Sequence, residues 1–117
     1  MIDTEKINDV VEDFIAAREW DQFHSLKNLS MALNVETSEL LEIFQWMKEE
    51  ESNEVSINPK LMAKVEEEIA DIFIYLLRIA TKSGIDIEKA VFKKINKNEE
   101  KYPVDKARGS AKKYTEF

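Results

Sequence analysis

The stretch from Asn58 to Gly84, "NPKLMAKVEEEIADIFIYLLRIATKSG", constrains the fold more than any other part of the chain. Asparagine followed by proline is a helix start: Asn58 can cap, and Pro59 at the first helical position has no N–H left to satisfy. Lys82 followed by Gly84 is a helix end, with a cation in the last turn and a residue free to turn left-handed just beyond it. Between them "IADIFIYLLRIA" is apolar nearly all round, because Ile74 and Leu77 lie off the main stripe. Such a helix must be buried on two sides, at the centre of a bundle or against another subunit.

Three further helices are expected around it. The first starts from a cap at Asp3 or Thr4, carries Ile7, Val10, Val11, Phe14 and Ile15 at helical spacing, and ends near Trp20. The second runs from about Leu26 to Lys48 on a stripe of Leu26, Leu29, Leu33, Leu40, Ile43, Phe44 and Met47. After the acidic loop "EEESNEVSIN" and the long helix, Asp86 caps a fourth helix from Ile87 to about Lys101, which Tyr102-Pro103 closes. A polar, basic tail covers about 104–117. With only two glycines and two prolines and almost no β-branched alternation, the expected class is all-α. Short connections make it a four-helix bundle, and 117 residues make it a single domain, 1–117.

Composition narrows the partners. The net charge is −7, from 24 acids against 17 lysines and arginines, which argues against a nucleic-acid polymer. A phosphorylated small molecule stays open if a cation stands between phosphate and carboxylates. There is no cysteine, no apolar run long enough for a membrane span and no signal-peptide pattern at the N-terminus, so no membrane partner is expected and the expected location is cytoplasmic.

Two helices break the rule that carboxylates face away from leucines. On a helical wheel with Glu36 at 0°, Leu29, Leu33, Leu40 and Met47 fall at about 20–60°, so Glu36 lies inside the apolar stripe. Glu39 lies on its flank, on the side of Trp46. The long helix repeats the pattern with Glu68 and Asp71 at the edge of its stripe and Tyr75 between them. Neither Glu39 nor Asp71 has a cation at i+4, where Ile43 and Tyr75 stand. Bringing these edges together crowds carboxylates that repel by roughly 3 kcal/mol per pair at 5 Å. A hard divalent ion, Mg²⁺ or Mn²⁺, on all-oxygen ligands would relieve it. The competing reading is that each pair is a solvated helix face.

The fourth helix begins apolar, with Ile87, Ala90 and Val91, and continues on the same face as Lys94, Asn98 and Lys101. Two cations and an amide suit polyphosphate oxygens; the alternative is that they are simply solvated. Trp20 and His24 in the first connector, and Trp46, could pack in the core or stack on a base and read its polar edge.

With these residues in view, "ETSELLEIFQW" followed by "EEEIADIFIYLL" resembles the E-x-x-E … E-x-x-D signature of the MazG-like all-α nucleoside triphosphate pyrophosphohydrolases, here Glu36-x-x-Glu39 and Glu68-x-x-Asp71. "REWDQFHSLKNL", "KYP" and "KKYTEF" are similar to its dCTP pyrophosphatase branch, so that the likeness runs from about Ile7 to Phe117. The resemblance implies Mg²⁺-dependent hydrolysis of a dNTP, dCTP or a modified relative, to monophosphate and pyrophosphate as nucleotide-pool house-cleaning. It implies metal ligation by Glu36, Glu39, Glu68 and Asp71, and a base pocket at Trp20, His24 and Trp46 with Tyr75 nearby. Phosphate contacts carry over onto Lys94, Asn98, Lys27, Lys101 and Lys113, and assembly is expected as a homotetramer, a dimer of dimers. Glu39, on the flank, is the candidate to orient or deprotonate the attacking water. Ser38 stands where many relatives have glycine, a change a helix tolerates.

Two other readings compete. A di-iron carboxylate bundle needs two Glu-x-x-His motifs, and the single histidine, His24, excludes it. A non-catalytic helical interaction module with solvated acid pairs is the remaining alternative.

Overall fold

The computed structural model describes residues 1–117 and is entirely helical. It resolves into two compact units, residues 1–84 and 85–117. No helix is long and apolar enough to cross a membrane.

In the first unit, α1 (Thr4–Ala17) starts where Asp3 accepts a hydrogen bond from the Lys6 amide at 3.0 Å. It stops three residues before Trp20 because the chain turns left-handed at Glu19, with φ +53°. The Trp20 amide donates back to the Ile15 carbonyl at 3.1 Å and the Glu19 amide to Ala16 at 3.1 Å, the bond pair of a Schellman cap. Glycine normally takes that position; here a glutamate bears the steric cost, and Gln22 Nε2 donates to its carbonyl at 2.9 Å. One 3₁₀ turn over Asp21–Phe23 then carries the chain to Ser25, whose hydroxyl caps the next helix by accepting from Asn28 N at 3.0 Å.

α2 (Leu26–Phe44) ends four residues before the expected Lys48. The reason lies in the acids that follow. Lys48 goes extended, and Glu49, Glu50 and Glu51 open a separate one-turn helix, α3 (Glu49–Ser52), where carboxylates face the positive end of the backbone dipoles. A 3₁₀ turn over Val55–Ile57 leads to α4 (Pro59–Ser83). Asn58 Oδ1 accepts from the amides of Lys60 at 3.1 Å and Leu61 at 3.2 Å, and Gly84 closes the helix at φ +69°. Both ends of α4 lie where the sequence puts them.

α2 packs along α4, and α1 packs on α4 as well. Leu29, 1% exposed, Val65, Leu77, Ala80 and Ile15 are the buried apolar residues of this unit, with the side chain of Arg78 among them. Met62, Ile69 and Leu76, at i, i+7 and i+14 on α4, remain exposed. The helix thus presents one covered and one uncovered apolar stripe.

The second unit contains α5 (Ile87–Lys101), capped by Asp86, the one-turn α6 (Val104–Ala107) and a final 3₁₀ turn at Tyr114–Glu116. Tyr102 holds its tail down: the Tyr114 and Phe117 rings stand edge-on to it at 6.0 and 5.8 Å. The "KYP" and "KKYTEF" segments therefore meet as one aromatic cluster.

Glu19→Gly is expected to stabilise the protein by roughly 0.5 kcal/mol, relief of left-handed strain being partly offset by glycine's greater freedom when unfolded. Urea denaturation of the two proteins checks this, and a destabilised glycine variant would contradict the strain at Glu19.

Candidate metal and nucleotide site

The α2–α4 seam is apolar except where Glu36 enters it from α2 and Glu68 from α4. Glu36 and Glu68 are half-buried and Glu39 is exposed, as the helical wheel places them. One carboxylate oxygen from each of Glu36, Glu39 and Glu68 lies within 4.8 Å of the others. Asp71 does not join them within that distance. One turn further along α4 and one methylene shorter, it lines the neighbouring cavity instead.

Crowding leaves a chemical signature. Glu36 Oε2 and Glu68 Oε2 are both cut off from solvent and have no hydrogen-bond partner. Burial, followed by the nearby Glu39 and Glu68 carboxylates and then Asp71, pushes the Glu36 carboxyl up to about 7. Burial raises Glu68 too, with protonated Glu36 working the other way and Glu39 and Asp71 adding to the rise. Buried acceptors without donors, all of them oxygen, fit a hard divalent cation such as Mg²⁺ or Mn²⁺. Glu36, Glu39 and Glu68 are the residues that can hold it, with Asp71 at the border.

Beside this cluster lies a cavity of about 390 Å³ within the first unit, at the small end of the range for ligand sites. α1 contributes Val10, Val11, Phe14 and Ile15; the connector contributes Trp20 and His24; α4 contributes Asp71, Ile74, Tyr75 and Arg78. Trp20 stands edge-on to Phe14 at 5.6 Å, which fixes the ring at the cavity wall. The Tyr75 hydroxyl is held protonated by burial first and then by the charges of Glu36 and Asp71, so it links the acid cluster to the cavity. His24 Nδ1 is buried and unpartnered. Burial, then the positive charges of Arg78 and Lys82, lower the His24 pKa against the pull of Asp21. A neutral imidazole can donate at one nitrogen and accept at the other.

The structure thus brings Trp20, His24, Tyr75 and Asp71 to one cavity, whereas Glu39 and Glu68 line a separate open hollow of about 440 Å³ with Glu42, Ile43 and Lys64. Lys27, in the first turn of α2, is exposed and does not line the cavity. Trp46 falls beyond the end of α2 and is 90% exposed, so its expected place on the helix flank beside Glu39 is corrected. In the second unit Lys94 is exposed, while Asn98 and Lys101 are half-buried; Lys101 Nζ lies 4.8 Å from the centre of the Tyr114 ring. Lys113 is exposed at the start of the last turn. A larger, more open hollow of about 700 Å³ around Met47, Val55 and Leu61 touches none of the acids of the cluster.

Arg78 is the residue that the sequence reading missed. It looked only like a charge interrupting an apolar run, yet it is 7% exposed and paired with Asp21 at 2.6 Å. The available signal was an arginine on the inner side of "LLRIA" together with an unpaired aspartate in "WDQFH".

The MazG-like family profile matches residues 31–117, which contain the whole acid cluster. The chain belongs to the MazG-like family. It is also 42% identical over 113 residues to dCTP pyrophosphatase 1 of Bos taurus, covering 97% of this chain and 67% of that protein. Against dCTP pyrophosphatase 1 of Rattus norvegicus the identity is 41%, covering 97% of this chain and 66% of that protein. The MazG-like chain thus spans about two thirds of the length of these curated relatives. Among solved structures it is similar to a pyrophosphatase from Archaeoglobus fulgidus, with 40% identity, a TM-score of 0.76, and coverage of 85% of this chain and 91% of that one.

The raised Glu36 pKa makes stability depend on pH. The folded state holds the proton more tightly than the unfolded chain, whose glutamate titrates near 4.5, so this contribution is full below that pH and lost as pH rises through about 7. In the metal-free MazG-like protein, wild type is expected to lose on the order of 1–2 kcal/mol relative to Glu36→Gln between about pH 5 and pH 8, after discounting for solvent access. Urea denaturation at both pH values measures it. Adding Mg²⁺ or Mn²⁺ at the higher pH should stabilise wild type and have little effect on Glu36→Gln.

Proposed function

We propose that this chain is a divalent-metal-dependent nucleoside triphosphate pyrophosphohydrolase that cleaves a dNTP, dCTP or a modified dCTP in particular, to the monophosphate and pyrophosphate. We read all 117 residues as one catalytic module acting in the cytoplasmic nucleotide pool. The observation that carries the proposal is the pair of orphaned carboxylate oxygens on Glu36 and Glu68 beside a small cavity walled by Trp20, His24 and Tyr75. The names of the similar proteins, dCTP pyrophosphatase 1 and a pyrophosphatase, support the same reaction.

A divalent cation held by Glu36, Glu39, Glu68 and Asp71, Mg²⁺ first and Mn²⁺ second, would offset the triphosphate charge and polarise the phosphates. The remaining work falls to the protein's own groups. Trp20 offers its ring to the base, and Trp46 from the segment after α2 is assigned to the same base. Neutral His24 can read a pyrimidine edge that both donates and accepts, which suits cytosine. Tyr75, kept protonated, is a donor at the junction of base and phosphates. Lys94, Asn98, Lys101, Lys27 and Lys113 are assigned to the phosphate oxygens. Glu39 is exposed within the cluster, so its carboxylate is free to orient water and take its proton. The water oxygen then bonds to the α-phosphorus, the bond from that phosphorus to the bridging oxygen breaks, and pyrophosphate leaves.

We further propose that the subunits form a homotetramer built around a helical bundle. The uncovered α4 stripe of Met62, Ile69 and Leu76 needs an apolar neighbour, and a second copy of this chain is the occupant most consistent with its heptad spacing.

Glu39→Gln should reduce pyrophosphate release from dCTP by at least about 10³-fold while nucleotide affinity stays within a few-fold. Wild type should need Mg²⁺ or Mn²⁺ and should prefer cytosine or modified cytosine nucleotides in a panel of dNTPs. A protein that releases no pyrophosphate from any dNTP, and that no divalent ion stabilises, would instead be a helical interaction module. Light scattering should return four times the mass of one chain, and a stable monomer would sink the assembly.

A further inference from the structure

A buried guanidinium is expensive unless it is paired, and Arg78 on α4 is more than nine-tenths buried. Its partners are not on α4. Nη2 donates to Asp21 Oδ1 at 2.6 Å, in the connector between α1 and α2, and Nη1 reaches Glu12 Oε1 on α1 at 3.5 Å. Lys82, one turn further along α4, donates to the same Asp21 oxygen at 3.1 Å. Asp21 is flanked by the cavity's own side chains, with Trp20 immediately before it and His24 three residues on. Apart from these ion pairs the connector is tied by the α1 cap, the Phe14–Trp20 ring contact and Asn28 Nδ2, which donates to the Phe23 carbonyl at 3.0 Å. It is a single 3₁₀ turn entered through the left-handed Glu19, and no residue in it is buried.

Resting on the nucleotide-pocket reading above, we propose that Arg78 is a positioning residue for the base: by gripping Asp21 it fixes the connector against α4 and so holds Trp20 and His24 at the wall of the 390 Å³ cavity. Its action passes through Asp21, although Arg78 itself also lines the cavity. Charge adds to geometry, because a fixed cation beside His24 disfavours an imidazolium and keeps the acceptor nitrogen available. The pairing is asymmetric in a useful way. Asp21 is mostly exposed and can be solvated without its partner, whereas Arg78 is buried, so loss of the pair costs more on the Arg78 side.

Two variants test the grip. Arg78→Met keeps apolar volume without the charge; Asp21→Asn removes the carboxylate from the exposed side and leaves the buried guanidinium with Glu12, so far-UV circular dichroism first establishes that both variants are folded. Hydrogen exchange of the metal-free, ligand-free proteins should show faster exchange over residues 20–24 in both variants, with the acid-bearing stretches of α2 and α4 unchanged. With Mg²⁺ and dCTP, KM should rise at least about fivefold with kcat within about threefold, and selectivity for cytosine over other bases should fall. The double variant should fall well short of the sum of the singles, because both remove the Arg78–Asp21 pair, each also losing one weaker contact, to Glu12 or to Lys82. Unchanged exchange over 20–24 in Asp21→Asn, a loss of kcat at constant KM, or additive effects in the double variant would each overturn the proposal. Should the wild type hydrolyse no nucleotide, the functional reading fails by itself, and the exchange measurement still decides whether Arg78 holds the connector.

Discussion

Everything about the first unit turns on acid side chains crowded at the seam between two apolar helices. α2 and α4 bury leucine and valine against one another, and at one level of that seam Glu36 and Glu68 replace apolar groups. Their inner oxygens have neither water nor a donor. The metal-free protein responds by holding a proton on Glu36 at a pH where a glutamate is ordinarily ionised. Stability is thus given up at one point, in a cluster of three carboxylates that could hold a metal ion. Evolution commonly places such local conflicts at functional sites and compensates for them in the surrounding packing.

The compensation is visible in how the cavity beside the acids is walled. Its aromatic and histidine side chains come from a connector with almost no burial of its own. What fixes that connector is the cap at the end of α1 on one side and the buried arginine of α4 on the other. A left-handed glutamate and a buried guanidinium are both costly features, and they act on the same short segment. Both tie the connector that carries Trp20 and His24 to the neighbouring helices.

The second unit relies on different forces. Its helix is polar, its tail is pinned by three aromatic rings, and its basic face carries Lys94, Asn98 and Lys101 at helical spacing. Aromatic edge-to-face contacts need little area and survive in a unit without a large core. The family match, over residues 31–117, covers both this unit and the acids of the first.

The local code determined a great deal. Asn58-Pro59 and Gly84 located α4, Asp86 located the start of α5, and helical periodicity alone put Glu36 inside the stripe and Glu39 outside it. These are properties of nearest neighbours along one helix, and the chain's own hydrogen bonds and sterics fix them. Where two helical tendencies competed, as at Met47–Glu49, the sequence did not disclose which would win, and the carboxylates at a new helix start broke α2 before Trp46. Only the tertiary structure decided that Asp71 turns to the cavity while Glu36, Glu39 and Glu68 converge, and that Arg78 reaches across to Asp21, 57 residues away in the chain. Contacts of that kind depend on how far one helix lies from another and how they are rotated. No periodicity within a single segment carries that information.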